Sequence, residues 1–453
     1  MNSLFKHQIN GIEIAASHPR FLFAWEPGLG KSRIMVETIK ESGVRALITA
    51  PLAVVDLVWI KEEFRKWAPD LEVINLWEYD KEDRNAASRR GDVVVSNYET
   101  LRISEKDIDY SGFGIFVCDE SSKLKGRTTA IAKTVTRFGR KIPRCYLLSG
   151  TPAPNNELEY FPQVDLVAPG LLGSSYWAFR VTYFYPALKD PKSHMVWKWA
   201  MRPEMREQFI RKLATVSQFL SKKDCLDLPE KTFMRRQVFL SAPEWAAYEK
   251  LRRDLVIQFT DATILAGNTL VLLMKLRQLT SGFSHVLEER PPVRFGNSKG
   301  KAVVELLEEI GRDKQVVLWI NFREEARHIL EAISTLGPAA RFDGETPTTD
   351  RAGILSKWRS GEIRYLVCHP AAAGHGLTLT EASHAIYVSL SHSLELFLQS
   401  QDRIHRISQN NPCTYHILEA VGPKGQKTID MDIWRALQSK DLTAARILEG
   451  LKR

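Results

Sequence analysis

The residues Phe21-Leu22-Phe23-Ala24-Trp25-Glu26-Pro27-Gly28-Leu29-Gly30-Lys31-Ser32 decide how the rest of the chain is read. An apolar run suited to a buried strand enters a Gly-rich turn, then Lys-Ser, then helical spacing from Arg33 to Lys40. That order is the context a phosphate-binding loop requires. Glycines let backbone N–H groups converge on phosphate oxygens, and the helix that follows adds the positive end of its dipole. Lys31 then reaches the β- and γ-phosphates, and the Ser32 hydroxyl ligates magnesium. Trp25 departs from the strict pattern, which has glycine at that place. Taken alone, the stretch also reads as a strand–turn–helix with a surface lysine.

The composition sets the frame around this loop. A chain of 453 residues is long enough for two or three domains with well-buried cores. Hydrophobic content of 44% and charged content of 26% belong to a soluble globular protein. No stretch reaches the apolar length of a membrane span, and residues 1–11 lack the layout of a signal peptide. A net charge of +9 favours a polyanionic partner without identifying one. The five cysteines, 118, 145, 225, 368 and 413, form no C-x-x-C pair, and three lie in apolar strand-like runs. They read as reduced, buried thiols in a cytosolic protein, with no zinc site.

Around the loop, the first half alternates. Val44 to Thr49 reads as a strand, Val54 to Trp67 as an amphipathic helix, and Leu71 to Trp77 as another strand. Asp92 to Ser96, Ile115 to Cys118 and Cys145 to Leu148 are further short apolar runs. Strand and helix in alternation, with short connections, predict a mostly parallel sheet covered by helices. Ligands of such sheets sit at the C-terminal ends of the strands. Asp119-Glu120 falls at one of these ends, where two carboxylates are poor core residues. They make sense if Asp119 holds magnesium through water and Glu120 polarises the attacking water; a solvated strand end is the alternative. At another end, the hydroxyls of Ser149-Gly150-Thr151-Pro152 are suited to sensing a γ-phosphate. Near the start, the amide of Gln8 can pair with an adenine edge, or it is a polar residue on the first helix.

Taken together and in order, Gln8, Gly28-Leu29-Gly30-Lys31-Ser32, Thr49-Ala50-Pro51, Asp119-Glu120 and Ser149-Gly150-Thr151-Pro152 resemble the motifs of superfamily-two helicases. Asp119-Glu120-Ser121-Ser122-Lys123-Leu124-Lys125 is similar to the Asp-Glu-x-His-x-Leu-Lys signature of the Swi/Snf-type DNA translocases. Ser149-Gly150-Thr151-Pro152-Ala153-Pro154-Asn155-Asn156 resembles their Thr-Gly-Thr-Pro-x-x-Asn. In that family the position of Trp25 is usually Asp, so glycine is not expected there.

Between Asn155 and about Asp224 the alternation stops. Aromatics such as Tyr176, Trp177, Phe179, Trp197 and Trp199 lie among Arg180, Lys198, Arg202 and Arg206. They suit either a nucleic-acid groove or, the favoured reading, the satellite core of a helical insertion. Ser221 to Lys231 resembles the family's basic segment ending in Leu-Pro-x-Lys and marks the lobe boundary, with a helical-looking segment after it. A second alternation then runs through Val316–Ile320, Glu324–Thr335 and Tyr365–Cys368, and Thr414 to Leu418 closes its sheet. In Gln399-Ser400-Gln401-Asp402-Arg403-Ile404-His405-Arg406-Ile407-Ser408-Gln409, two arginines three apart share one helix face. That face is either solvated or aimed at phosphates. The pattern closely resembles the sixth Swi/Snf motif, which implies an arginine finger at Arg406 with Arg403 as its companion.

The expectation is an α/β chain of two tandem RecA-like parallel-sheet lobes with helical insertions. Residues 1–225 form the ATP-binding lobe, including an insertion at about 156–225, and 226–453 form the second lobe with C-terminal helices. The resemblance implies ATP and Mg as cofactors, hydrolysed between the lobes. Gln8, Gly28, Leu29, Gly30, Lys31, Ser32, Arg403 and Arg406 hold the nucleotide, Ser32 and Asp119 the metal, and Lys31, Asp119, Glu120, Arg403 and Arg406 carry the chemistry. Motif position further implies nucleic-acid contacts at Thr49, Tyr98, Asn321, Gly376 and Thr378. The implied partner is double-stranded DNA, along which the motor translocates, in a bacterial or viral protein of the cytoplasm. A strand-separating or annealing helicase acting on forks, single strands or RNA is the alternative. A DNA-binding scaffold without ATPase activity is another, motivated by Ser122 for the family's His, Ser391-His392-Ser393 for Trp-Asn-Pro, and Ser408 for Gly.

Overall fold

The computed structural model describes residues 3–189, 196–260, 266–285, 291–373 and 377–451. The chain divides into two compact units, Met1–Asp227 with Lys440–Arg453, and Leu228–Ser439.

The first unit is built on a seven-stranded, all-parallel sheet. In chain order its strands are β1 (Arg20–Trp25), β2 (Ala46–Ala50), β3 (Val73–Asn75), β4 (Val93–Asn97), β5 (Ile115–Asp119) and β6 (Arg144–Leu148). An antiparallel hairpin, β7 (Phe184–Lys189) with β8 (Val196–Met201), precedes the last strand, β9 (Ser217–Leu220). The sheet order is β3-β4-β2-β5-β6-β1-β9. Successive side chains feed opposite cores: Leu22, Ala24, Phe116 and Leu147 pack on one face, Phe21, Phe23, Val117 and Tyr146 on the other. Both faces are therefore apolar, which is why these strands read as continuous hydrophobic runs. The helices that matter for the site are α1 (Lys6–Ser17) and α2 (Lys31–Ser42).

The segment 156–225 is not simply helical. It carries the β7–β8 hairpin, and β9 returns to pair with β1 as the edge of the main sheet. A four-residue strand among polar neighbours gives little periodicity, and its pairing is set by the sheet edge it completes. The aromatics here divide: Phe179, Tyr183 and Phe184 are buried in the core, whereas Trp177 is 63% exposed. The helix over Val54–Trp67 forms, but Val55–Phe64 is wound as a π-helix.

The second unit has a six-stranded parallel sheet. It begins with β10 (Lys231–Phe239), and a separate small antiparallel pair, β11 (Phe283–Ser284) with β12 (Val293–Arg294), comes before its other five strands. The rest are β13 (Val316–Trp319), β14 (Ala339–Phe342), β15 (Tyr365–Cys368), β16 (His384–Tyr387) and β17 (Cys413–Val421), in the order β10-β17-β16-β13-β15-β14. One edge is β10, paired with β17 along nine residues, in a segment whose sequence looks helical. Most of β10 is exposed, so it lacks the apolar run that marks the interior strands. Lys299 and Asp430 make a buried ion pair of 2.7 Å that fastens the helix Ile429–Leu451 near its start. None of the five cysteines forms a disulfide. Among the described residues no helix is long and apolar enough to cross a membrane.

Candidate nucleotide and nucleic-acid site

The phosphate loop lies between β1 and α2, and its neighbours show why each residue is present. Trp25 ends β1 fully buried, and its indole N–H donates to Gln218 Oε1 of β9 at 3.0 Å. Gln218 in turn donates to Asn10 Oδ1 of α1 at 2.9 Å. A Cβ on Gly11 of α1 would stand 2.5 Å from Trp25 Cη2, so the glycine is the notch that accepts the indole. Trp25 is thus a wedge that locks α1 and the sheet edge onto the base of the loop.

Gly28 and Gly30 both have left-handed backbone, φ 86° and 82°, and Gly30 caps the N-terminus of α2. A side chain at Gly30 would collide with the Gln8 amide as well as strain the backbone. Gln8 is buried: its Oε1 accepts from Phe5 N at 3.0 Å and its amide nitrogen reaches Leu29 O at 3.4 Å. The neighbouring His7 ring meets the same carbonyl at 2.9 Å. The start of the chain is therefore fastened to the loop. Lys31 Nζ donates to Trp25 O at 2.7 Å, curled over the loop it serves.

Asp119 and Glu120 stand at the end of β5. Asp119 is buried, with Oδ2 accepting from the Trp59 indole at 2.9 Å and Oδ1 from Glu120 N at 3.0 Å. Burial pushes its carboxyl above the ordinary range, against the charge of Lys31 and the Trp59 and Glu120 hydrogen bonds, which hold it down. Trp59 sits in the π-helix, a winding frequent beside functional sites. Glu120 has φ 56°, a left-handed conformation shared by no other non-glycine among the described residues. Such strain persists only where the surroundings hold it. Here the Tyr98 hydroxyl clamps the carbonyls of Asp119 and Glu120.

Gln163, which sequence reasoning did not single out, joins the two hydroxyl-bearing turns. Fully buried, it accepts from Ser121 Oγ at 2.7 Å and donates to Pro152 O at 2.6 Å. Gly150 closes the circuit, because a Cβ there would lie 2.7 Å from Pro27 of the phosphate loop. The loop, the carboxylate pair and the Ser149–Pro152 turn are one packed assembly within the first unit. The donor set suits a nucleotide with its metal: a glycine cradle, a lysine, a hydroxyl at the first turn of α2 and a buried carboxylate.

In the second unit the helix Leu394–Gln401 stops before both arginines, which lie on the turns that follow rather than on a helical face. The chain leaves the helix because Leu379 N takes the Arg403 carbonyl at 2.8 Å and Gln409 binds the carbonyls of Thr380, Ala382 and Ile404. Arg403 is buried, donating to Gln399 O and Leu377 O. Arg406 is half-buried, and donates to Thr378 Oγ1 at 2.8 Å.

The nucleic-acid contacts expected from motif position are placed less favourably. Thr49 is fully buried in β2 and Tyr98 is buried at the clamp, so both side chains face the interior. The reason is that they stand at strand ends covered by packed elements. Asn321 is half-buried with its amide donating to Ser389 O at 2.9 Å, and Thr378 is half-buried. Gly376 lies outside the described residues.

Two parallel α/β sheets, one carrying a phosphate loop and a strand-end Asp-Glu pair, define the class of a two-lobe RecA-like chain. The chain belongs to the SNF2-related family: the SNF2-related domain matches residues 7–283, and the helicase conserved C-terminal domain matches residues 298–408. It is 25% identical over 454 residues to the SWI/SNF-related matrix-associated actin-dependent regulator of chromatin subfamily A-like protein 1 of Xenopus tropicalis, covering 97% of this chain and 44% of that one. It is 28% identical over 432 residues to putative protein p41 of Acyrthosiphon pisum secondary endosymbiont phage 1, covering 90% and 88%. The putative ATP-dependent helicase/translocase YwqA of Bacillus subtilis is 26% identical, with 93% and 46% covered. The chain thus spans less than half the length of the frog and Bacillus relatives. Among solved structures, the Sulfolobus solfataricus SWI2/SNF2 ATPase core in complex with dsDNA aligns over 99% of this chain and 97% of that one, with 22% identity and a TM-score of 0.44.

Proposed function

We propose that the chain is an ATP-hydrolysing motor that translocates along double-stranded DNA. The observation that carries it is the packed assembly of Lys31, Asp119 and Glu120, with the Asp119 carboxyl buried within the field of Lys31. Lys31 binds the phosphates, the α2 N-terminus and the loop N–H groups orient them, and Glu120 aligns the attacking water. Ser32 and Asp119 would hold magnesium, which would supply charge neutralisation to the transferring phosphoryl group. The first unit supplies no arginine for the transition state in this reading. Arg406 is the residue proposed for that role by its motif position. Family membership supports duplex DNA as the track. Asn321 and Thr378 remain the contacts proposed for its backbone, a mode with little base specificity and strong salt dependence.

The test is ATP hydrolysis with and without blunt duplex DNA, together with displacement of a triplex-forming strand. Stimulation and displacement are expected, and Lys31→Ala and Glu120→Gln should abolish both. Unwinding of forks without triplex displacement would select the strand-separating reading. Turnover by the wild type no higher than by these variants would leave a scaffold.

A further inference from the structure

We infer that the first unit carries an accessory surface for unpaired nucleic acid, formed by Trp177, Arg180 and Trp199 together with Tyr176, Arg127 and Lys133. This rests on the nucleic-acid reading above and narrows the substrate to duplex DNA bearing a single-stranded tail or fork. Trp177, on the helix Tyr176–Tyr183, is 63% exposed. The Arg180 guanidinium lies over two indoles, 3.8 Å from the Trp177 ring centroid and 4.4 Å from that of Trp199 on β8. No hydrogen bond or ion pair to another described residue engages that guanidinium, and its Nε is buried without a partner. The Arg180–Trp199 side fixes the Trp177 ring by stacking, which leaves a rigid aromatic face, backed by positive charge, open to solvent.

Beside it, Tyr176 packs edge-on against Phe161 with ring centroids 5.6 Å apart, and Arg127 lies 4.4 Å over its ring. Phe161 and Arg127 also line a cavity of about 420 Å³ that includes Lys133, Arg137 and Asp165. The two carboxylates nearby are already engaged, Asp165 by Arg140 at 2.6 Å and Glu105 by Arg137 at 2.5 Å. Among the described residues neither Arg127 nor Lys133 has a carboxylate partner. The patch therefore carries surplus positive charge next to a fixed aromatic face. Cations in a groove take phosphates, and an exposed indole takes the face of a base. Inside a duplex every base face is covered by its neighbours, so the ligand this combination fits is a strand with free bases. A purely apolar protein partner would leave Arg127 and Lys133 unanswered.

The experiment uses the full chain and fluorescence anisotropy, without nucleotide, on a blunt duplex and on the same duplex with a single-stranded tail. Wild type is expected to bind the tailed DNA more tightly. Trp177→Ala should weaken tailed binding roughly tenfold while leaving blunt-duplex binding unchanged, as expected for one lost base stack. The double variant Arg127→Ala/Lys133→Ala should lower the slope of log affinity against log salt by about 1.4 on the tailed DNA, two single-strand phosphate contacts at about 0.7 each. Trp177 and both cations are outside the buried core, and circular dichroism checks that the variants fold. Equal wild-type affinity for the two DNAs, or equal loss on both with Trp177→Ala, would overturn the proposal and return the patch to protein docking. The assay involves no hydrolysis, so a failed ATPase test of the motor reading leaves its outcome readable.

Discussion

The Trp59 indole N–H donates to Asp119 Oδ2 at 2.9 Å across 60 residues of sequence, from the π-wound part of a helix to the end of β5. The donor favours the charged carboxylate and fixes which way it faces, against the burial that pushes its carboxyl above the ordinary range. Removing the donor without removing the ring isolates this effect. Trp59→Phe should raise the magnesium needed for half-maximal ATP turnover about tenfold, in the range typical of lost partners behind a metal ligand. Binding of a fluorescent ADP analogue titrated with magnesium should show the same shift. An unchanged magnesium dependence with a lowered melting temperature would reduce Trp59 to packing.

Trp25 stands where a strict phosphate loop has glycine, yet restoring the glycine should damage the protein. Trp25→Gly removes a fully buried indole and its bond to Gln218, at a cost of about 3–5 kcal/mol. Gly11→Ala presses a methyl group into the same contact and should cost about 1–3 kcal/mol by overpacking. Urea denaturation of the two variants measures both. Because α1 carries Gln8, nucleotide affinity should fall in each.

Arg403 and Arg406 should separate by phenotype. Arg403 is buried and bound to Gln399 O and Leu377 O, so Arg403→Gln should lose about 2 kcal/mol of stability. Arg406 is half-buried, so Arg406→Gln should fold with near wild-type stability and lose on the order of 10³-fold in kcat. Thermal unfolding beside single-turnover hydrolysis distinguishes them. The opposite pattern would exchange their roles.

Lys299 and Asp430 are paired deep in the second unit, where Asp430 also accepts from Thr280 Oγ1 at 2.9 Å and Ala420 N at 3.1 Å. Lys299→Met leaves a carboxylate buried without its cation and should cost about 3–5 kcal/mol. Pairing it with Asp430→Asn should recover part of that loss, as a double-mutant cycle in urea would show.

His384 and His416 stack on adjacent strands with nitrogens 3.3 Å apart. Burial, then the neighbouring His384 and Arg236, holds His416 down to about 4 from its usual 6.5, with Glu309 opposing. Lys314 adds to the burial that lowers His384. Between these values the unfolded chain binds a proton that the native state refuses, so stability is full above pH 6.5 and falls towards pH 4. His416→Gln should flatten that part of the stability–pH curve, read by denaturant midpoints at pH 7 and pH 5.

The phosphate loop, the Asp-Glu pair, the alternation of both halves and the family were legible in the sequence because they are local. A glycine turn is written in consecutive residues, and a doubly buried strand in an unbroken apolar run. The limits of that legibility are equally physical. β10 lies at an edge and buries little, so its residues carry no strand period. The π-winding around Trp59 is decided by what that indole must reach, not by propensity. Thr49 and Tyr98 occupy motif positions, but only the packing around the strand ends shows that their side chains turn inward. Sequence placed two arginines three apart; the hydrogen bonds from Leu379 and Gln409 decided that one is buried and the other keeps an open edge.

What the sequence by itself determined is the set of reactive groups and the order of the elements that carry them. The tertiary structure decided how they are held: Trp25 in the Gly11 notch, Gln163 between Ser121 and Pro152, Tyr98 over the strained Glu120, Trp59 on Asp119. Each of those contacts joins residues from different elements, and a contact of that kind exists only once both elements are packed. Local chemistry can be read along a chain, but the buried polar partners that fix its geometry are chosen by the fold.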